Sequence, residues 1–301
     1  MKALKLIDDI HIIDLNYNAV FLIEGSDSSV IIETAYPSEF KTIKRGFMKL
    51  NKKIDEFDYI IGTHIHLDHF GAVGHFLREN PELKVIIHPK GKKHLIDPSK
   101  LNESAKKAMG SRYSMVGQML PVNPKNILDI NDSAIINLGN FDLKLIFTPG
   151  HAKHHMVIYI DKLKLVFTGD ALANTIKGYP IITVTPPPNY NYESAIESIE
   201  KIKLLHPEYL VQTHGGLISI SDNSNIFNIV KNQHKKWLEF VKELNEINDN
   251  PNQNQVIEFF KKRNPLNLSE DHITMIFQKY HHVIFMNYMG IKRYLIKHPE
   301  I

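Results

Sequence analysis

Six consecutive positions, His64-Ile65-His66-Leu67-Asp68-His69, carry three imidazoles and a carboxylate, and they follow directly on an apolar run. Residues 57–62 (Phe-Asp-Tyr-Ile-Ile-Gly) read as a short buried strand, because Tyr59, Ile60 and Ile61 are β-formers and the run ends in glycine. The cluster therefore begins where a strand stops. In extended backbone His64 and His66 project to one side, and a turn after Leu67 brings Asp68 and His69 round towards the same point. Imidazole nitrogen and carboxylate oxygen are the ligands preferred by zinc and neighbouring first-row metals.

Three downstream segments repeat the design. Residues 141–151, Phe-Asp-Leu-Lys-Leu-Ile-Phe-Thr-Pro-Gly-His, are an alternating strand broken by Pro149-Gly150, a turn that presents His151. Residues 163–170, Leu-Lys-Leu-Val-Phe-Thr-Gly-Asp, run from apolar strand to glycine to Asp170. Residues 209–216, Tyr-Leu-Val-Gln-Thr-His-Gly-Gly, do the same and deliver His214. Strand ends that each carry a ligand type predict a common sheet edge, and loops held by a rigid sheet are where chemistry usually sits.

In order and approximate spacing these segments resemble the metal motifs of the metallo-β-lactamase-fold hydrolase superfamily, over about residues 10–220. The Thr-His-x-His-x-Asp-His and Thr-Pro-Gly-His pieces carry most of the specificity. The resemblance implies an α/β protein, an αββα sandwich of the metallo-β-lactamase type over residues 1–221, with a small helical C-terminal domain over 222–301. It further implies that His64, His66 and His151 hold one metal ion, that Asp68, His69 and His214 hold a second, and that Asp170 bridges them. The cofactors expected are two divalent ions, zinc foremost, with iron or manganese as alternatives. Two such ions share a hydroxide and polarise the oxygen of the group it attacks. Zinc lowers the pKa of bound water to about 7, so no serine or cysteine nucleophile is required. The chain contains no cysteine. Asp68 and Asp170 are the residues given catalytic roles, the first as proton acceptor or relay, the second as the anion between two cations.

His155, four places after His151, is a candidate for holding a ligand in orientation. The other histidines read as surface or structural residues. Composition excludes more than it specifies. Lys and Arg total 36 against 33 Asp and Glu, a net charge of +3, so no nucleic-acid partner is expected. No apolar run approaches the ~20 residues of a membrane helix. The N-terminus meets Asp8 and Asp9 before any adequate apolar stretch, which does not resemble a secretory signal. The expectation is a cytoplasmic enzyme with a small-molecule substrate, no membrane association, and a homodimer allowed.

Along the chain, residues 3–34 read as strands broken at Asn16–Asn18 and Gly25–Ser29, followed by a helix over 38–50 and another over 71–80. Strands are predicted at 84–88, 134–138, 141–148, 156–161 and 164–168, and an amphipathic helix at 190–205. Residues 90–130 are a connection with helical character that could cover the metal cleft. Residues 174–191 are a proline-rich connection in which Tyr179 or Tyr190 could reach a substrate carbonyl. Helices are predicted at 226–248, 254–263, 269–280 and 281–297.

The activity these features imply is hydrolysis of a small carboxylic ester, lactone or thioester by a metal-bridging hydroxide. The glyoxalase II branch is disfavoured, because Ala171-Leu172-Ala173-Asn174 stands where those enzymes carry a glycine-cysteine-glycine-arginine type segment. His66 argues against the flavodiiron branch, which generally has glutamate there. The alternatives are a mononuclear iron dioxygenase of the same fold and a phosphodiesterase or ribonuclease.

Overall fold

The computed structural model describes residues 1–174, 180–279 and 281–300. Its strands are β1 (Lys2–Ile7), β2 (Ile10–Asp14), β3 (Ala19–Glu24), β4 (Ser29–Ile32), β5 (Tyr59–Ile61), β6 (Lys84–Ile86), β7 (Ile135–Asn137), β8 (Asp142–Phe147), β9 (Met156–Ile160), β10 (Leu165–Phe167), β11 (Tyr209–Gln212) and β12 (Gly216–Ser219). The helices are α1 (Phe40–Lys49), α2 (Leu67–Phe70), α3 (Val73–Glu79), α4 (Lys92–Ile96), α5 (Ser99–Met109), α6 (Tyr113–Val116), α7 (Tyr192–Lys203), α8 (Ile226–Ile247), α9 (Gln253–Arg263), α10 (Glu270–Lys279) and α11 (His281–Lys297). Two compact units result, one of Met1–Phe147, His154–Gly169 and Pro207–Ser219, the other of Thr148–Lys153, Asp170–His206 and Ile220–Ile301.

The first unit holds two mixed sheets, ordered β1-β2-β3-β4-β5-β6 and β12-β11-β10-β9-β8-β7. Side-chain alternation explains why the central strands are apolar without a break. In β3, Val20 and Leu22 face a core shared with Ile43, Phe47 and Phe76 of α1 and α3. Ala19, Phe21 and Ile23 of the same strand face the opposite way, into a core shared with Leu143, Ile158 and Phe167 of the second sheet. Phe21 and Phe167 meet edge to face there, 5.2 Å apart. A strand covered on both faces has no solvent side, so its pattern is a run and not an alternation.

Most strands pair antiparallel, but β4-β5-β6 and β10-β11 are parallel. Ligand-bearing loops in open sheets lie beyond the carboxyl ends of parallel strands, and here those ends carry Glu33, Gly62 to His69, Thr168-Gly169 and Thr213-His214.

Two local features depart from the sequence reading. The first apolar stretch is a hairpin of two strands, β1 and β2, turning at Asp8-Asp9 with Asp8 at φ 46°. After His214 the chain also adds β12, a half-buried strand paired antiparallel with β11.

The second unit is built on α7 to α11 around Trp237, Phe240, Phe260, Ile284, Tyr288 and Tyr294. Along α8 the buried positions Phe227, Val230, His234, Trp237, Val241 and Leu244 recur at three and four residues, one apolar face of a 3.6-residue helix. Trp237 stacks on Phe260 of α9 at 5.2 Å. The class is as expected: two mixed sheets with helices, and a helical region at the C-terminal end.

Candidate metal centre

In the first unit β5 ends at Ile61, the chain bends at Thr63 and His64, and His66, extended at φ −63° and ψ 153°, leads into α2. The single turn of α2 then places Asp68 and His69 just past that bend. His64 and His69 are fully buried, while Asp68 is half-buried. His64 Nε2 lies 2.9 Å from His66 Nδ1. His214, arriving from β11, puts its Nε2 3.1 Å from His69 Nε2 and 3.5 Å from Asp68 Oδ2. One ligand atom from each of Asp68, His69 and His214 falls within 4.8 Å of the others.

The hydrogen bonds on the far side of each ring decide what these atoms offer. His69 Nδ1 is 3.1 Å from Glu33 Oε1, and His214 Nδ1 is 2.9 Å from the Tyr17 carbonyl oxygen. Both partners accept, so both rings donate from Nδ1 and present an Nε2 lone pair. Two acceptor nitrogens of neutral rings 3.1 Å apart, with a carboxylate oxygen beside them, repel one another unless a proton or a metal cation lies among them. His64 repeats the arrangement. Thr63 Oγ1 donates to Glu33 Oε1 at 2.5 Å, which leaves that hydroxyl to accept from His64 Nδ1 at 3.1 Å and turns His64 Nε2 towards His66. This donor set fits a metal ion, with side chains behind it that fix ring orientation and tautomer.

Glu33 is the residue that sequence reasoning missed. It is buried at the end of β4, and its Oε1 gathers Thr63, His69 and, at 3.2 Å, Thr213 Oγ1. The ends of β4, β5 and β11 are thereby tied together across the two sheets of the first unit. The available signal was a lone carboxylate closing the apolar run Val30-Ile31-Ile32. Tyr17 was missed as well; its ring lies 4.5 Å from that of His214.

Gly169 explains its place in the Gly-Asp motif. It sits at φ 46°, and a Cβ there would stand 2.5 Å from Thr63 Oγ1 and 2.8 Å from His155 Nε2. His155 is buried with its ring 5.0 Å from that of His64, and His154, also buried, has its ring 5.6 Å from that of His66. Burial holds the Glu39 carboxyl above its usual range, against lowering by Asn18 and the Tyr36 amide, and the charge of Asp68 adds to the rise.

In the second unit the Thr-Pro-Gly-His turn is fastened to the start of α7. Ser198 Oγ donates to Pro149 O at 2.6 Å, and the Asn191 amide donates to Gly150 O at 2.9 Å. His151 Nδ1 donates to Val184 O at 2.9 Å, which directs its Nε2 to within 3.5 Å of Asp170 Oδ2. Again an acceptor nitrogen faces a carboxylate oxygen. Tyr190 is a packing residue: it is buried, and its hydroxyl is 2.8 Å from Nδ1 of His234. Tyr179 lies outside the described residues. Of the residues expected from the motifs, the first unit brings together His64, His66, Asp68, His69 and His214, and the second brings together His151 and Asp170. No helix among the described residues is long and apolar enough to cross a membrane.

Residues 13–214 match a family model described as the Metallo-beta-lactamase superfamily. The chain is 34% identical over 170 residues to the metallo-beta-lactamase fold-containing protein ST1585 of Sulfurisphaera tokodaii, a match covering 55% of this chain and 63% of that one. It is 31% identical over 156 residues to the probable metallo-hydrolase YqgX of Bacillus subtilis, covering 52% and 66% respectively. These matches span less than two thirds of either relative. The crystal structure of archaeal ST1585 superposes with a TM-score of 0.66 at 24% identity, over 95% of this chain and 99% of that one, a likeness of fold.

Proposed function

The chain belongs to the metallo-beta-lactamase superfamily, and we propose that within it the protein is a dinuclear metal-dependent hydrolase of a small carboxylic ester, lactone or thioester. The observation that carries this reading is the pair of acceptor nitrogens, His69 Nε2 and His214 Nε2, facing each other beside Asp68. The motif assignment supplies the rest: His64, His66 and His151 as one ligand set, Asp68, His69 and His214 as the other, and Asp170 between them. Zinc is the ion best matched to these nitrogen and carboxylate donors. When bound, the ions supply a nucleophilic water near neutral pH and polarise the carbonyl under attack.

The chain's own contribution is orientation and proton handling. Glu33 and the Tyr17 carbonyl hold His69 and His214 in the tautomer that presents Nε2. Asp68 is the most accessible residue of its cluster, at 24% side-chain exposure against 0% for His69 and 1% for His214, which suits it to pass a proton on. The small net charge of +3 favours a small carbonyl substrate over a nucleic acid.

The test is a side-by-side assay of zinc-reconstituted protein on lactone, thioester and phosphodiester substrates, with a chelated control. Carbonyl hydrolysis that disappears on chelation and returns with zinc is expected. Phosphodiester cleavage without carbonyl hydrolysis would reject the substrate class, and oxygen consumption with a single bound iron would reject the reaction class.

A further inference from the structure

Within the second unit, residues 181–185 form an extended segment whose two edges are used by different partners. In extended backbone the amide and carbonyl of one residue point to one side, and those of the next residue to the other. On one edge, Gln233 of α8 donates from Nε2 to Ile181 O at 2.6 Å and accepts from Thr183 N at 2.9 Å. Asn287 of α11 continues the pattern, donating from Nδ2 to Thr183 O at 2.8 Å and accepting from Thr185 N at 2.8 Å. Two side-chain amides thus replace a neighbouring strand. On the opposite edge, Ile182 exchanges both backbone hydrogen bonds with Asn174, at 3.0 and 3.2 Å, and Val184 O accepts from His151 Nδ1 at 2.9 Å.

The contact with α11 admits no slack. Gly290, one turn beyond Asn287, approaches the segment so closely that a Cβ would lie 1.8 Å from Thr185 O and 3.0 Å from the Pro186 carbonyl carbon. Asn287, Thr183 and Thr185 are fully buried, so water cannot substitute for a missing partner without opening the packing.

We propose that Gln233 and Asn287 are positioning residues for His151, and that a task of the C-terminal helices is to hold the 181–185 segment so that Val184 O fixes the ring of that histidine. The segment is tied to the helices at 181, 183 and 185 and meets Asn174 and His151 at 182 and 184, so a shift on the helix side is transmitted to the imidazole. The proposal rests on the reading of His151 as a metal ligand.

The experiment measures zinc affinity of the full chain by competition with a chromophoric chelator, together with the 15N chemical shifts of the His151 ring, in wild type, Asn287→Ala and Tyr288→Phe. Tyr288→Phe is the control, since it removes the bond from Tyr288 Oη to Asn245 Oδ1 at 2.9 Å within the same helices and leaves the clamp intact. Expected is a loss of about tenfold in zinc affinity for Asn287→Ala, with the His151 Nδ1 signal moving away from that of a donating nitrogen. Tyr288→Phe should leave both unchanged even if it lowers Tm. If both variants lose affinity equally, or Asn287→Ala binds zinc as wild type does, the positioning role is wrong. Should Asn287→Ala not fold, Gln233→Ala removes the other half of the clamp and carries the same two outcomes. Wild-type protein that takes up no zinc overturns the metal reading itself, and this is visible before any variant is compared.

Discussion

His69 Nε2 and His214 Nε2 stand 3.1 Å apart although 145 positions of sequence separate them. Each ring has its other nitrogen bound to an acceptor, Glu33 for His69 and the Tyr17 carbonyl for His214. With both rings neutral, the contact therefore sets lone pair against lone pair. It separates a metal-binding arrangement from a histidine-rich loop, in which neutral rings would pair donor to acceptor.

Reconstituted protein should bind up to two zinc ions per chain, because six terminal ligands and one bridging carboxylate are assigned. His214→Ala should lose an ion, and Asp170→Asn should weaken the pair. Elemental analysis after dialysis reads both, and unchanged occupancy in a His64→Ala/His66→Ala double variant would refute the assignment. His64→Ala or Asp68→Ala should also remove most turnover.

Glu33→Gln should weaken zinc binding by roughly 10- to 100-fold, the usual range when a ligand histidine loses its hydrogen-bonded carboxylate. Gln retains the shape and one acceptor oxygen, so the buried hydroxyls of Thr63 and Thr213 keep a partner and the fold should survive. Isothermal titration with zinc, alongside a circular dichroism spectrum, distinguishes lost affinity from lost structure.

Gly169→Ala should destabilise the protein by about 2 kcal/mol or more, combining a left-handed backbone position with overpacking. The new methyl would press on Thr63 Oγ1 and His155 Nε2, immediately behind His64. Urea unfolding of the metal-free protein measures the cost; wild-type stability in the variant would contradict the geometry.

Acid should destabilise the chain partly through His88. Burial, reinforced by the charge of Lys90, pushes its pKa down to about 4, and its Nδ1 accepts the Lys90 amide at 3.0 Å. The unfolded ring titrates near 6.5, so below that pH the unfolded chain binds a proton that the native one does not. The contribution is complete above about pH 6.5 and is lost as pH falls through 4; discounted for solvent screening, it amounts to about 2 kcal/mol. His88→Asn keeps the acceptor for Lys90 and has no proton to bind, so thermal melts at pH 7 and pH 4.5 should show a smaller drop for the variant than for wild type.

A chain ending before Ile226 should lose solubility or stability. The removed helices carry Trp237, Phe240, Phe260 and Tyr288, which bury Tyr190 and Ala195 of the remaining chain. Removing one side of a shared core exposes the other. A truncated protein with the Tm of the full chain would mean that these contacts contribute nothing.

The candidate ligand residues stand out in the sequence because metal chemistry needs particular side chains and strand ends mark where they emerge. His64 to His69, His151, Asp170 and His214 each follow a short apolar run that ends in a turn, and that pattern is local. The apolar periodicity of α8, with Phe227, Val230, Trp237 and Val241 on one face, was legible for the same reason. The residues that lie behind the candidate ligands in the hydrogen-bond network do not stand out. Glu33 reads in sequence as a charge at a strand end, Asn287 and Gln233 as ordinary polar positions on helices, and Val184 as an apolar residue in a loop. Their roles depend on which hydrogen-bonding group lies opposite, 36 residues from Glu33 to His69 and 102 from Thr185 to Asn287. Hydrogen bonding at those separations has no period or motif; it is set by the packing of strands and helices that brings each donor to its acceptor.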